Sequence, residues 1–168
     1  MQTGPRHHKN PFPPLIAILV IIVLAAAASA RNRLWVQDVS LWEDAARKAP
    51  GKARAWHVLG LAAYRSGRTD TAIGHFLKVL RIRPEYVHAY TNLAACYGSQ
   101  GLHDKAIEYS YLALKIQPDF EEAHYSLGVA FAEQGRFVKA REHLLAALRI
   151  KPDHAEARRL LLDISAVK

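Results

Sequence analysis

Cysteine is nearly absent from this chain of 168 residues, in which Cys96 stands alone. A single cysteine excludes an internal disulfide and a metal site built from several thiolates. A lone cysteine of this kind is more often a small buried apolar residue than a nucleophile. The length and a hydrophobic content of 51% permit one domain with a core, together with an appendage.

Catalytic signatures are lacking as well. The sequence holds no glycine-rich phosphate loop after a strand and no G-x-S-x-G turn. None of the nine histidines stands at His-x-x-x-His spacing, and Glu121 with His124 is an isolated pair without further ligands. We therefore predict a protein that is not an enzyme and has no cofactor, no metal site and no small-molecule substrate.

Acidic residues are fewer than basic ones, 15 against 23, so the net charge is +8. The excess is uneven, because residues 51–86 hold seven Lys/Arg and two acids, whereas residues 87–120 hold two Lys/Arg and three acids. A modest positive charge without a nucleic-acid-binding signature argues against DNA or RNA as a partner. It permits an acidic protein or peptide partner.

The first thirty residues differ from the remainder. Residues 1–14 are polar, basic and interrupted by four prolines, which predicts a disordered basic N-terminus. Residues 15–30 are 16 residues without a charge, slightly short of the roughly 17 to 25 that span a bilayer as a helix. Two interpretations remain open: a transmembrane helix or signal anchor over 15–34, or a cleavable secretory signal that ends at 28–30.

A period of 34 residues governs the rest of the chain. Prolines stand at 50, 84, 118 and 152, and glycines at 67, 101 and 135. Apolar residues recur at helical spacing in two runs per period, the first ended by glycine and the second by proline. The predicted fold is an all-α solenoid with a half-repeat helix over 35–52, full repeats over 53–86, 87–120 and 121–154, and a cap helix over 155–168.

In this register Trp42 of the half-repeat aligns with Phe76 of the first full repeat. The alignment predicts that Trp42 is a buried aromatic residue, whose loss would cost about 3 to 5 kcal/mol. Small residues at 60, 94 and 128, on the first helix of each pair, are expected to let the two helices approach closely. The stretch after the apolar run is therefore predicted to be part of the folded domain and not a linker.

The repeated pattern of Trp56, Leu59, Gly60, Gly67, Ala72, Phe76 and Pro84 resembles the tetratricopeptide repeat (TPR). That resemblance implies a right-handed stack of helix pairs, whose first helices line a concave groove for peptides or partner helices. Four positions depart from the family pattern. His124 stands in place of a large aromatic residue, Ser110 in place of a bulky apolar one, and Thr69 and His103 where tyrosine is common.

The repeat register also indicates which residues line the groove. Our candidate partner-binding residues are Arg54, His57, Tyr64, Arg65, His88, Asn92 and Tyr125. Further positions of the same register are Leu61, Thr91, Ala95, Ser99, Glu122, Val129 and Glu133. Cationic, aromatic and amide groups on the first two helices suit an extended segment that carries carboxylates. The alternative is that these polar residues only make the surface soluble.

Chaperone-binding members of the family hold a peptide carboxylate with Lys and Asn in the first repeat and Lys and Arg in the third. Here those places hold His57, Leu61, Glu122 and Ser126, and only Asn92 matches the clamp's middle asparagine. The departure from the clamp disfavours chaperone tails as ligands of this groove.

Residues 31–60 carry a second resemblance, to the junction between the last membrane helix and the repeats in transmembrane and TPR-containing proteins, which are related to O-mannosyltransferases. The residues that carry it are Arg31, Asn32, Trp35, Leu41, Trp42, Pro50, Ala53 and Arg54. The resemblance implies repeats that face a lumen or the cell exterior. Transferase activity is not carried over, because only one apolar segment precedes the junction in this sequence.

We therefore predict a membrane-anchored, non-catalytic scaffold that mediates protein–protein interaction. Lys/Arg counts beside the apolar run leave its orientation open, and the junction favours a bacterial inner-membrane protein with one membrane pass and periplasmic, or lumenal, repeats. Two alternatives stay open. One is an accessory or detached repeat portion of a multi-pass membrane glycosyltransferase system, and the other is a structural subunit of a membrane complex.

Overall fold

The computed structural model describes residues 39–166, together with the four helical and exposed residues Ile18, Val20, Ile21 and Val23. The chain divides into two compact units, Met1–Leu41 and Trp42–Lys168. Our predictions for 1–14, for most of 15–34 and for 35–38 fall outside the described residues. Among the residues that are described, no helix combines the length and the apolar character needed to cross a bilayer.

Residues 39–166 form eight helices and no strand. The helices are α1 (39–48), α2 (Ala53–Arg65), α3 (Thr69–Ile82), α4 (Val87–Ser99), α5 (His103–Ile116), α6 (Glu121–Glu133), α7 (Phe137–Ile150) and α8 (Ala155–Ala166). Helices α2 to α7 form three hairpins, α2 with α3, α4 with α5 and α6 with α7, and α8 packs against α6 and α7. The all-α solenoid of helix pairs predicted from the 34-residue period is confirmed.

Glycine closes the first helix of every hairpin. Gly67, Gly101 and Gly135 adopt φ angles of 75°, 73° and 70°, which is the left-handed region where a side chain is strained. The backbone N–H two residues past each helix end returns to a carbonyl in its last turn, as from Gly67 to Tyr64 at 2.9 Å. The predicted role of these glycines as helix-ending residues is thus confirmed.

The two helices of a hairpin interlock where a small residue faces a large one. A Cβ atom added to Gly60 of α2 would lie 2.6 Å from the ring of Phe76 in α3, and one added to Gly128 of α6 would lie 2.6 Å from Leu144 in α7. The middle hairpin uses Ala94 and Ser110 at these places. Ser110 is fully buried, and its hydroxyl donates to the Ala106 carbonyl at 2.8 Å, so its departure from the family pattern leaves no unpaired polar group.

A donor near the start of each first helix bonds to the proline that ends the preceding repeat. The Trp56 indole donates to the Pro50 carbonyl at 2.9 Å, the Tyr90 hydroxyl to that of Pro84 at 3.0 Å, and the His124 imidazole to that of Pro118 at 3.1 Å. Arg158 makes the same bond to Pro152 from the cap helix. His124 therefore replaces an aromatic residue while it keeps the hydrogen bond.

Trp42 is only partly buried, which corrects the prediction of a buried aromatic residue. In α1 the fully buried position belongs to Ala46, which is 2% exposed, while the Trp42 ring lies beside the Arg54 guanidinium at 5.8 Å. The alignment of Trp42 with Phe76 correctly predicts that Trp42 lies in a helix, but it does not predict how deeply the Trp42 side chain is buried. The side chain therefore contributes less to stability than a residue sealed inside a hairpin.

The replacement of Gly60 by alanine should lower the free energy of unfolding by about 1 to 3 kcal/mol, because the new methyl group overlaps the Phe76 ring. Gly74 of α3 is the matched control, since a Cβ there meets no atom within 4 Å. Gly74→Ala should instead raise stability by about 0.5 to 1 kcal/mol, through helix propensity alone. Urea unfolding of both variants measures the difference, and equal effects of the two substitutions would contradict the interlock.

Trp42→Ala should lower the free energy of unfolding by about 1 to 2 kcal/mol, as expected for an aromatic residue that is partly exposed. Leu93→Ala is the comparison, because Leu93 is fully buried and should lose about 2 to 5 kcal/mol. Urea titration of both variants by circular dichroism measures the two losses. A loss at Trp42 as large as that at Leu93 would contradict the smaller contribution expected of a partly exposed ring.

Candidate functional site

The first helices of the three repeats, α2, α4 and α6, lie side by side and are joined by polar contacts. The Asn92 side chain of α4 lies 3.1 Å from the imidazole of His57 in α2, and His88 of α4 lies 3.4 Å from the carboxylate of Glu122 in α6. The structure therefore brings three of the predicted groove residues, His57, His88 and Asn92, into two polar contacts between neighbouring first helices. We call the face formed by α2, α4 and α6 the concave groove.

The basic end of the groove lies at α2. Arg54 lines an open basin of about 660 Å³ together with Lys52, His57, Arg83 and Tyr86, and none of the described residues that line it is acidic. Arg65 is exposed in the last turn of the same helix, where the helix dipole favours a cation. Both predicted arginines are thus accessible to a partner.

The middle of the groove holds a second cavity, of about 440 Å³, which we call the α4 pocket. Its α4 wall consists of four small residues, Ala94, Ala95, Gly98 and Ser99, and the predicted residues Tyr64 of α2 and Tyr125 of α6 also line it. His103, one of the departures from the family pattern, lines it as well, and its Nδ1 atom is buried without a hydrogen-bond partner among the described residues.

Several residues of the α4 pocket were not among our predicted groove positions. Gly98, His103 and Ala130 belong to this class. The signal that could have indicated them is the run of small residues along α4, because such a run leaves space beside the bulkier residues of neighbouring helices. Ala95, Ser99, Val129 and Glu133 were predicted from the register and do line the pocket.

Charge changes sign along the groove. The change is seen at two positions of the repeat, each of which recurs every 34 residues. Arg54, His88 and Glu122 occupy one position and form one row, and Arg65, Ser99 and Glu133 occupy the other and form a second row. Helix α2 carries two arginines and no acid, α4 carries no Lys, Arg, Asp or Glu, and α6 carries three glutamates and no Lys or Arg. One of those glutamates, Glu121, lies 3.8 Å from Lys151, which leaves Glu122 and Glu133 as the acids of the two rows.

Burial lowers the pKa of three imidazoles, those of His57, His75 and His143. Desolvation is the main cause in each, because a buried imidazolium loses its hydration. Nearby positive charge adds to the effect, from Lys78 and Arg68 at His75 and from Lys139 at His143. These histidines are therefore held neutral to lower pH than a free imidazole.

His143 belongs to a hydrogen-bonded chain that links the third hairpin to α5. His124 donates from Nε2 to Pro118, so its Nδ1 atom is free to accept from His143 Nδ1 at 3.2 Å. The Tyr111 hydroxyl lies 3.3 Å from His143 Nε2, and the His143 ring stacks on Phe131 at 5.6 Å. Two neutral imidazoles satisfy every bond in this chain, whereas two charged ones would set two N–H groups against each other.

A metal ion bound within residues 39–166 would need a cluster of three or more ligating side chains. No three His, Cys, Asp or Glu side chains in that part of the chain come together as metal ligands. Cys96 is fully buried, and burial raises its pKa to about 11, so the thiol stays protonated at neutral pH. Cys96 is a core residue of the first two repeats.

Three antiparallel hairpins of two helices each, a shared concave groove and polar contacts between successive first helices define a helical-repeat scaffold. Tetratricopeptide repeat families match residues 39–87, 75–108 and 99–164. The chain belongs to the tetratricopeptide repeat family, whose modules are typically non-catalytic scaffolds for protein–protein interaction. No curated protein matches the chain in sequence.

Solved structures share the fold. The first TPR domain of Spaghetti (RPAP3), bound to the HSP90 peptide SRMEEVD, is 24% identical with a TM-score of 0.65, over 68% of this chain and 90% of that one. The Sgt2 TPR domain from Aspergillus fumigatus is 24% identical with a TM-score of 0.65, over 67% and 76%. MamA is 27% identical with a TM-score of 0.65, over 73% and 72%.

Acidification below about pH 6.5 should lower the thermal stability of the protein. The unfolded chain protonates His57, His75 and His143 at higher pH than the folded chain does. The contribution of these histidines to the free energy of unfolding is therefore fully present above the ordinary histidine pKa, and it is lost as the pH falls through the lowered values. Melting temperatures between about pH 7.5 and pH 5 measure the effect. His143→Gln should reduce the slope, and a melting temperature that is flat or rises on acidification would contradict the argument.

Proposed function

We propose that this protein is a membrane-anchored scaffold that recruits a protein partner through its concave groove. The observation that carries the proposal is the groove itself, an accessible face over three helices with a basic basin at α2 and a pocket at α4. Repeat modules of this family act by binding, and their first helices present the binding side chains.

The anchor is the part of the proposal that rests on sequence. Residues 15–30 carry no charge, and a stretch of this kind suits a membrane helix when flanking residues lengthen it to roughly 20 positions. Arg31 and Arg33 follow directly and suit the headgroup region. We further propose that the repeats lie on the periplasmic or lumenal side of the membrane.

Capture of a chaperone tail is not the function that this groove favours. Such a tail ends in a carboxylate and needs cations, yet Glu122 supplies an anion at one clamp position and His57 occupies another. Asn92, the single matching residue, is already in contact with His57 at 3.1 Å. The Spaghetti domain binds an acidic peptide, and the proposal for this chain keeps an acidic contact only at the α2 end.

The test is a crosslinked pull-down of the full-length chain from membranes, compared with the double charge reversal Arg54→Glu/Arg65→Glu. The reversal should abolish capture of the partner that the unmodified chain retains, because it removes the basic end of the groove. Arg141→Glu/Arg149→Glu is the matched control, since both arginines are exposed on α7 and line neither cavity.

Three outcomes would count against the proposal. Unchanged capture after the groove reversal would favour a structural subunit held by its other surfaces. Equal loss in the α7 control would mean that only net charge matters. Release of the full-length chain into the soluble fraction by a carbonate wash would contradict the proposed membrane anchor. The alternative of a glycosyltransferase accessory rests on the junction resemblance alone and stays a prediction.

A further inference from the structure

We infer that the concave groove binds an extended segment of mixed charge, with an acidic residue beside α2, an apolar residue in the α4 pocket and a basic residue beside α6. This inference rests on the proposed function and names the chemistry of the partner. It follows from the order of the charges, the position of the pocket and the spacing of the helices.

The charge order is the first step. Arg54 and Arg65 stand at two positions of α2 where α6 carries Glu122 and Glu133, while the equivalent residues of α4 are His88 and Ser99. Two independent rows therefore change from basic through neutral to acidic in the same direction. A segment with like charges at both ends would meet repulsion at one end of this groove, whereas opposite charges are attracted at both.

The pocket supplies the second step. It lies at the uncharged helix, between the two charged ones, and α4 contributes only small side chains to its wall. A volume of about 440 Å³ accommodates a leucine-sized or aromatic side chain. The apolar contact of the segment is therefore placed at its middle.

Helix spacing fixes the separation of these features along the segment. Packed helices lie about 8 to 10 Å apart, and a residue in an extended chain advances about 3.3 Å. Three residues of an extended segment therefore span one helix-to-helix step. The expected sequence has an acidic residue three positions from the apolar residue and a basic residue three positions away on its other side, in either chain direction.

Seven-residue peptides with blocked ends test the inference on the purified full-length chain in detergent micelles. Each peptide has leucine at its centre and serine or glycine between, and the ends are glutamate and lysine in either order, two glutamates, or two lysines. Fluorescence anisotropy should show that the tighter of the mixed peptides binds about five-fold better than either like-charged peptide at low salt. Serine in place of the central leucine should weaken binding about ten- to hundred-fold.

Variants of the protein separate the effect of the groove charges from the effect of the apolar contact in the α4 pocket. Arg54→Glu/Arg65→Glu makes both ends of the groove acidic, so the peptide with two lysines should become the tightest binder. Ala95→Phe should fill the α4 pocket and reduce binding of every leucine peptide, whereas Gly74→Phe adds the same ring to α3, where a Cβ meets no atom within 4 Å. Gly98→Ala narrows the pocket more gently, because its Cβ would lie 4.0 Å from that of Ala106, at ordinary contact distance.

The same peptide ranking on the unmodified and charge-reversed proteins would overturn the inference, as would equal binding of the leucine and serine peptides. No binding of any peptide up to about 1 mM would also overturn it. If the groove reversal abolishes capture from membranes while the peptides fail, the inference is wrong and the proposed function stands. If the peptides rank as expected while capture is unaffected, the proposed function is wrong and the inference stands.

Discussion

The close approach of two helices within each hairpin is the constraint on which the structure depends. Gly60 leaves space that the Phe76 ring fills, and Gly128 does the same for Leu144. Because a solenoid has contacts only between neighbours, its stability is a sum of such local terms and has no central core to compensate for a poor one. The interlock fixes how closely the two helices of each of these hairpins approach.

A second constraint joins one repeat to the next. An indole, a phenol, an imidazole and a guanidinium donate in turn to the carbonyls of Pro50, Pro84, Pro118 and Pro152. The four groups differ in shape and charge and share only an N–H or O–H at similar reach. What this position requires is therefore a donor, and the aromatic ring is one way to supply it.

The sequence predicted the repeats well because the 34-residue period records local requirements. Glycine at 67, 101 and 135 satisfies a backbone angle, and proline at 84, 118 and 152 ends a helix, so both can be identified without knowledge of any tertiary contact. The depth of burial at Trp42 and the α4 pocket could not be predicted in this way. Each depends on the volume left between several helices, which no single position records.

The uncharged middle helix separates two tasks that a binding groove must perform. Charges at α2 and α6 act over a distance of about a Debye length and orient an approaching segment, whereas the pocket at α4 acts only on contact. Charged side chains beside the pocket would cost desolvation when an apolar group enters it. With arginines on one outer helix and glutamates on the other, the groove keeps its attraction at the ends, and Glu133 is the one acid among the described residues that line the pocket.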